Sequence, residues 1–165
     1  FELSDLIEPF KTVWQAGVAA AGIPKEALGS MNQWLLEQNG GAGDYLRAVA
    51  QMQIIGRRIV ALLEPFDMLV LPVYLNPPIR VGEYADLSPE ETLQRVMGWI
   101  APCPPFNASG QPAIAIPASL DENGLPIGIQ LVGRPAADAT MIALAAQIEA
   151  AKPWRDRRPN FAMNG

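Results

Sequence analysis

What most limits the folds open to this chain is the run "PAIAIPASLDENGLPIGIQLVGR", residues 112–134. Ile114, Ile116, Ala118 and Leu120 alternate with Ala113, Ala115, Pro117 and Ser119, and Ile127, Ile129 and Leu131 alternate with Gly128, Gln130 and Val132. A period of two is the period of a strand, and the Asn123-Gly124 pair in the connector is a strong hairpin signal. The run predicts two antiparallel strands, both apolar enough to be largely covered. A further apolar run, "FDMLVLPV" at 66–73, predicts a strand buried on both faces, with Pro72 at its end. One buried strand and a hairpin make a small sheet for the helix around them, and such strands want neighbours on both sides. The expected class is α/β, a piece of a larger sheet flanked by helices.

The helices follow from apolar residues at helical spacing. Leu3, Leu6, Ile7, Phe10, Val13, Trp14 and Val18 predict a helix over 3–20, capped by Ser4 or Asp5 and ended by Gly22 and Pro24. Pro24 to Gln38 reads as a second helix, stopped by Asn39-Gly40-Gly41. Asp44 to Leu63 carries Leu46, Val49, Met52, Ile55, Ile59 and Leu62 and is the best-defined of all. Residues 76–86 read as a loop. Ser88-Pro89-Glu90-Glu91 is a capping box with proline at the first helical position, opening a helix that carries Leu93, Val96, Met97 and Ile100. Asp138 is expected to cap a last helix using Met141, Ile142, Leu144, Ala145 and Ile148, ending before Lys152-Pro153-Trp154. Residues 106–112 read as a tight turn.

The chain contains no histidine, which removes Ser-His-Asp and Cys-His mechanisms from it. With one cysteine, Cys103, it also lacks the ligands of an ordinary zinc or non-haem iron site, and one cysteine makes no internal disulfide. The acidic stretches Glu83-Asp86-Glu90-Glu91 and Asp121-Glu122 do not have the spacing of a calcium loop. No glycine-rich phosphate loop is present. No metal or cofactor is expected. The net charge of −5 argues against nucleic acid or an anionic membrane as partner, although Arg155, Asp156, Arg157 and Arg158 form a local cluster, read as a solvated tail. No apolar run approaches the ~18 residues of a membrane span. The chain begins at Phe1 rather than Met, so a cut or trimmed start is expected.

Among five serines, Ser4 and Ser88 read as caps, Ser119 alternates in a strand, and Ser30 has no glycine elbow. Ser109, in Asn107-Ala108-Ser109-Gly110, lies in a turn that can face a ligand, with no base beside it. Lys11, Lys25 and Lys152 lie in polar or helix-end settings. Taken alone, these residues make no active site.

The ordered set Pro105-Phe106-Asn107, Ser109-Gly110-Gln111-Pro112-Ala113, Pro117, Gly124-Leu125-Pro126-Ile127-Gly128, Gln130-Leu131-Val132-Gly133-Arg134, Asp138-Ala139-Thr140 and Pro153-Trp154 resembles the C-terminal part of the amidase signature family. "FDMLVLPV" with the proline loop after it extends the resemblance to residues 66–154. The resemblance implies a mixed sheet within an α/β/α fold, the whole chain being a C-terminal piece of a single amidase domain, mainly helical over 1–65 and strand, helix, hairpin and helix over 66–165. It implies amide hydrolysis by a Ser-Ser-Lys triad that needs no histidine, with backbone N–H groups stabilising the oxyanion.

The family's lysine and its serine- and glycine-rich signature have no counterpart here, so no catalytic residue carries over. The expected partners are a small carboxamide or anilide and the missing N-terminal part of the same enzyme, or a second copy in a homodimer, in the cytoplasm. Asn107 and Gln111 either hold the turn through backbone hydrogen bonds or contact substrate. Ser109, Trp99, Cys103, Tyr74 and Leu75 are further candidates for the pocket wall. Two other readings are a non-catalytic binding module that kept half the fold, and an amidotransferase subunit that works with a protein partner.

Overall fold

The computed structural model describes residues 2–156. Strands β1 (Met68–Pro72), β2 (Ala113–Leu120) and β3 (Pro126–Gly133) form one antiparallel sheet in the order β1-β3-β2. Val132 of β3 lies opposite Leu69 and Ala113, and Leu131 lies opposite Val70 and Ile114. Because side chains alternate across a strand, these rows serve two cores. Val132 packs with Leu6, Ile55, Ile59 and Phe106, and Leu69 and Leu71 join them. Leu131 and Ile116 pack on the other face with Met141 and Ala145. Helices α1 (Ile7–Ala20), α2 (Ser30–Glu37), α3 (Ala42–Leu63), α4 (Pro89–Ile100), α5 (Pro104–Ser109) and α6 (Asp138–Ala151) complete the chain. The first core is built on α3 and α5, the second on α6, giving the α/β class expected. All pairing among the described residues is antiparallel, so the mixed sheet is not seen within this stretch.

The hairpin closes as its sequence predicts. Gly124 takes a left-handed φ of 79°, and the Asp121 carboxylate accepts from the N–H groups of Asn123 and Leu125, both at 2.8 Å. Covering is less complete than expected. β3 is central and its last four residues are buried, whereas β2 is mostly exposed with only Ile116 fully inside. Within this stretch β1 is paired on one side and Val70 is 56% exposed, so the expected burial on both faces is not seen here. Its continuous apolar run reflects what a strand presents on two faces, not how many neighbours it has within this stretch.

Other boundaries moved for local reasons. The first helix starts as a 3-10 turn over Leu3–Leu6, whose Asp5 carboxylate accepts from the N–H of Glu2 at 3.0 Å. The helix expected over 24–38 is split into a 3-10 turn, Lys25–Ala27, and α2. Leu28 and Gly29 are extended between them, glycine favouring this break because it gains least from a helix. Asp138 is the first residue of α6, not its cap, and Ile142 is 64% exposed. Arg157 and Arg158 of the basic cluster lie outside the described residues.

Helix α4 begins as the sequence predicts. The Ser88 hydroxyl accepts from the N–H of Glu91, and the Glu91 carboxylate accepts from the Ser88 N–H at 2.9 Å. Replacing Ser88 by alanine is expected to cost about 1 kcal/mol in thermal unfolding. The Ser88 hydroxyl and N–H hold the Glu91 carboxyl below its ordinary value of 4.5. Its contribution is fully present above that value and is lost as the pH falls through the lower folded value. Acid unfolding of Ser88→Ala should therefore show a weaker dependence on pH below about 4.5 than that of the parent.

Candidate functional site

Helix α5 is the element that arranges the predicted residues. Pro104 and Pro105 occupy its first two positions, where a missing N–H costs nothing. Gly110 ends it with φ 69°, and its N–H donates to the Phe106 carbonyl at 2.9 Å. The expected tight turn is thus a short helix closed by a left-handed glycine. Pro104, Pro105 and Phe106 are buried, so α5 is anchored by its own start.

At the C-terminal end of α5 the Ser109 hydroxyl donates to Gln111 Oε1 at 3.0 Å, and Gln111 Nε2 donates to the Gly133 carbonyl at 2.8 Å. Gln111 is 6% exposed. The Gly133 N–H donates to the Pro112 carbonyl at 3.0 Å. This side chain and this backbone bond together lock the entry to β2 onto the end of β3. Of the two roles open to Gln111, holding the backbone is the one its hydrogen bonds fill. Asn107 is exposed on α5. Gln111→Leu is expected to cost about 1–3 kcal/mol by chemical denaturation, because it removes a buried partner from the Gly133 carbonyl and from Ser109. Ser109→Ala should cost less, its hydroxyl being only half-buried.

The other predicted residues gather at the N-terminal end of α5. Cys103 Sγ lies 3.5 Å from the Val73 carbonyl. Tyr74 stacks on Trp99 with ring centroids 4.5 Å apart and planes at 23°. Trp99 Nε1 donates to the Asn76 carbonyl at 3.0 Å, and the Leu75 N–H donates to the Trp99 carbonyl at 3.1 Å. Tyr74 and Leu75 line a hollow of about 640 Å³ with Pro77, Ile116, Pro117 and Ile127. Six helical residues at ~1.5 Å rise separate the two groups by about 9 Å. The structure therefore gives two small clusters, not one constellation.

Neither cluster is a catalytic centre by itself. Ser109 meets an amide, not a base. Burial pushes the Cys103 thiol above its ordinary value, which keeps it protonated and a poor nucleophile at neutral pH. No group of three potential metal-ligating His, Cys, Asp or Glu side chains comes together among the described residues. Sequence reasoning passed over Gln130, which is buried in β3 and donates from Nε2 to the Pro102 carbonyl at 3.3 Å. A glutamine between Ile129 and Leu131 in a central apolar strand was the available signal. Arg134 Nε likewise donates to the Phe66 carbonyl at 3.0 Å and, with Asp67 3.4 Å away, ties the base of β1 to the end of β3.

The backbone-dense unit from α5 through the hairpin to α6 is matched by a known family. Residues 16–142 fit the family model described as Amidase. The chain belongs to the amidase signature family. It is 54% identical over 149 residues to a candidate amidase of Synechocystis sp., covering 90% of this chain and 29% of that protein. It is 40% identical over 109 residues to AmiB2, a candidate amidase of Mycobacterium tuberculosis, covering 66% of this chain and 24% of that one. The chain thus spans less than a third of the length of these relatives. In fold it is similar to 6-aminohexanoate cyclic dimer hydrolase, with a TM-score of 0.84 at 22% identity, over 94% of this chain and 36% of that structure. Among the described residues no helix is long and apolar enough to cross a membrane.

Proposed function

We propose that this chain is the C-terminal part of an amidase that converts a carboxamide to a carboxylate and ammonia or an amine, its catalytic residues lying upstream. The observation that carries this is the family match over residues 16–142 of a chain that spans less than a third of its relatives, and the Ser109 hydroxyl, bonded to the Gln111 amide rather than to a base, agrees with it. In the Ser-Ser-Lys chemistry that the family resemblance implies, a serine oxygen attacks the amide carbon. The C–N bond breaks, the amine leaves with a proton, and water then hydrolyses the ester.

The residues of this chain take a supporting part. Gln111, Gln130 and Arg134 fix α5 and β1 onto β3, and the Tyr74–Trp99 pair forms a wall beside the hairpin. The rest of the enzyme is the chain's partner, in the cytoplasm, and a small amide is the substrate. The test is hydrolysis of a set of simple carboxamides and anilides by the protein with its upstream sequence and by residues 1–165 alone. Activity in the longer protein only supports the proposal. Inactivity of both would favour a binding module.

A further inference from the structure

Asparagine is followed by glycine at Asn39-Gly40, Asn123-Gly124 and Asn164-Gly165. The last pair lies outside the described residues. Glycine carries no Cβ, so its nitrogen can closely approach the side-chain amide carbon of the asparagine before it.

The two described pairs share a sequence and differ in structure. Both are exposed. Asn123-Gly124 is held in the hairpin turn. The Gly124 N–H donates to the Asp121 carbonyl at 3.1 Å, and the Asp121 carboxylate accepts from the N–H groups of its neighbours, Asn123 and Leu125. The Gly124 nitrogen is therefore fixed by its own bond and by bonds on either side. Asn39-Gly40 lies in the link between α2 and α3 and belongs to no helix or strand. The Asn39 N–H donates to the Leu36 carbonyl at 3.2 Å, but the Gly40 N–H donates to no described residue. Helix α3 explains the glycine. A methyl group on Gly40 would lie 2.6 Å from Asp44 Oδ2, in a carboxylate that accepts from the Gly41 N–H at 3.0 Å and pairs with Arg47. The start of α3 thus favours the residue that leaves Asn39 open to attack.

We infer that Asn39 is a site of spontaneous deamidation and that the hairpin protects Asn123 from the same reaction. The Gly40 nitrogen attacks Asn39 Cγ and gives up its proton to solvent, and the side-chain nitrogen leaves as ammonia. Water opens the cyclic imide at either of its carbonyls, giving aspartate or isoaspartate. The net change consumes a water and releases an ammonia. Each product adds a negative charge between the end of α2 and the start of α3, and isoaspartate also lengthens the main chain there by a carbon. The inference is independent of the proposed amide hydrolysis.

The test is incubation of the folded protein, with its upstream sequence, at mildly alkaline pH, followed by peptide mass mapping that separates the asparagine-glycine pairs. Asn39 should convert at least about fivefold faster than Asn123, the factor that an ordinary hydrogen bond carries. Its rate should rise with pH, and both aspartate and isoaspartate should form. In urea, where neither local structure survives, the two asparagines should convert at similar rates. An unconverted Asn39, an Asn123 that converts as fast in the folded protein, or a difference that persists in urea would each overturn the inference.

Discussion

Replacing Gly56 by alanine is expected to lower stability by about 2 kcal/mol, although alanine is the better helix former. Gly56 lies in α3, and a methyl group there would meet the Ala108 carbonyl oxygen at 2.7 Å and Ser109 Cα at 3.0 Å. These are backbone atoms of α5, so no side chain can swing aside. Helix α5 must move or strain, at a cost typical of overpacking, against which the gain in helix propensity is at most about 1 kcal/mol. The control is Gly17→Ala in α1, where nothing lies within 4 Å. There the same change should stabilise by about 0.5–1 kcal/mol. Equilibrium urea unfolding of the two variants reads both signs. Equal behaviour would mean that α3 does not press on α5 as described.

Leu131→Ala should have a larger effect, about 3–4 kcal/mol. Leu131 is 1% exposed in the central strand and packs into the cluster with Ile116, Met141 and Ala145. Its loss removes apolar burial and leaves a cavity between β3 and α6. At roughly 2–4 °C per kcal/mol for a domain of this size, the melting temperature should fall by about 10 °C in a calorimetric scan. Leu120, 51% exposed near the hairpin turn, is the comparison, and Leu120→Ala should cost well under about 1 kcal/mol. If the two fell together, the core would not be where β3 meets α6.

What could be foreseen in the sequence was local. The Asn123-Gly124 turn and the alternation around it announce the hairpin, because both signals act within a few residues. Ser88 and Glu91 announce the start of α4 for the same reason. What escaped depends on distant partners. That β1 pairs on one side only within this stretch depends on which strands stand beside Met68–Pro72, and an apolar run does not say. The burial of Gln130 depends on Pro102, twenty-eight residues away, offering its carbonyl. Gly56 matters because α5 passes against it, and a glycine in a helix carries no sign of what approaches.

The candidate residues divide in the same way. Gln111 was found through its place in a turn, but its part as a clamp needed the Gly133 carbonyl to be located. Trp99 and Tyr74, far apart in sequence, come together as a stacked pair. Ser109 shares a hydrogen bond with Gln111 and reaches no base, which composition without histidine had already limited.

The most direct test of the central claim is to treat the protein, with its upstream sequence, with a serine-reactive fluorophosphonate and map the adduct by peptide mass. One adduct is expected on a serine before residue 1, blocked by an amide substrate, and none on residues 2–156. An adduct on Ser109 that abolishes amide hydrolysis would place the nucleophile inside this chain and contradict that claim.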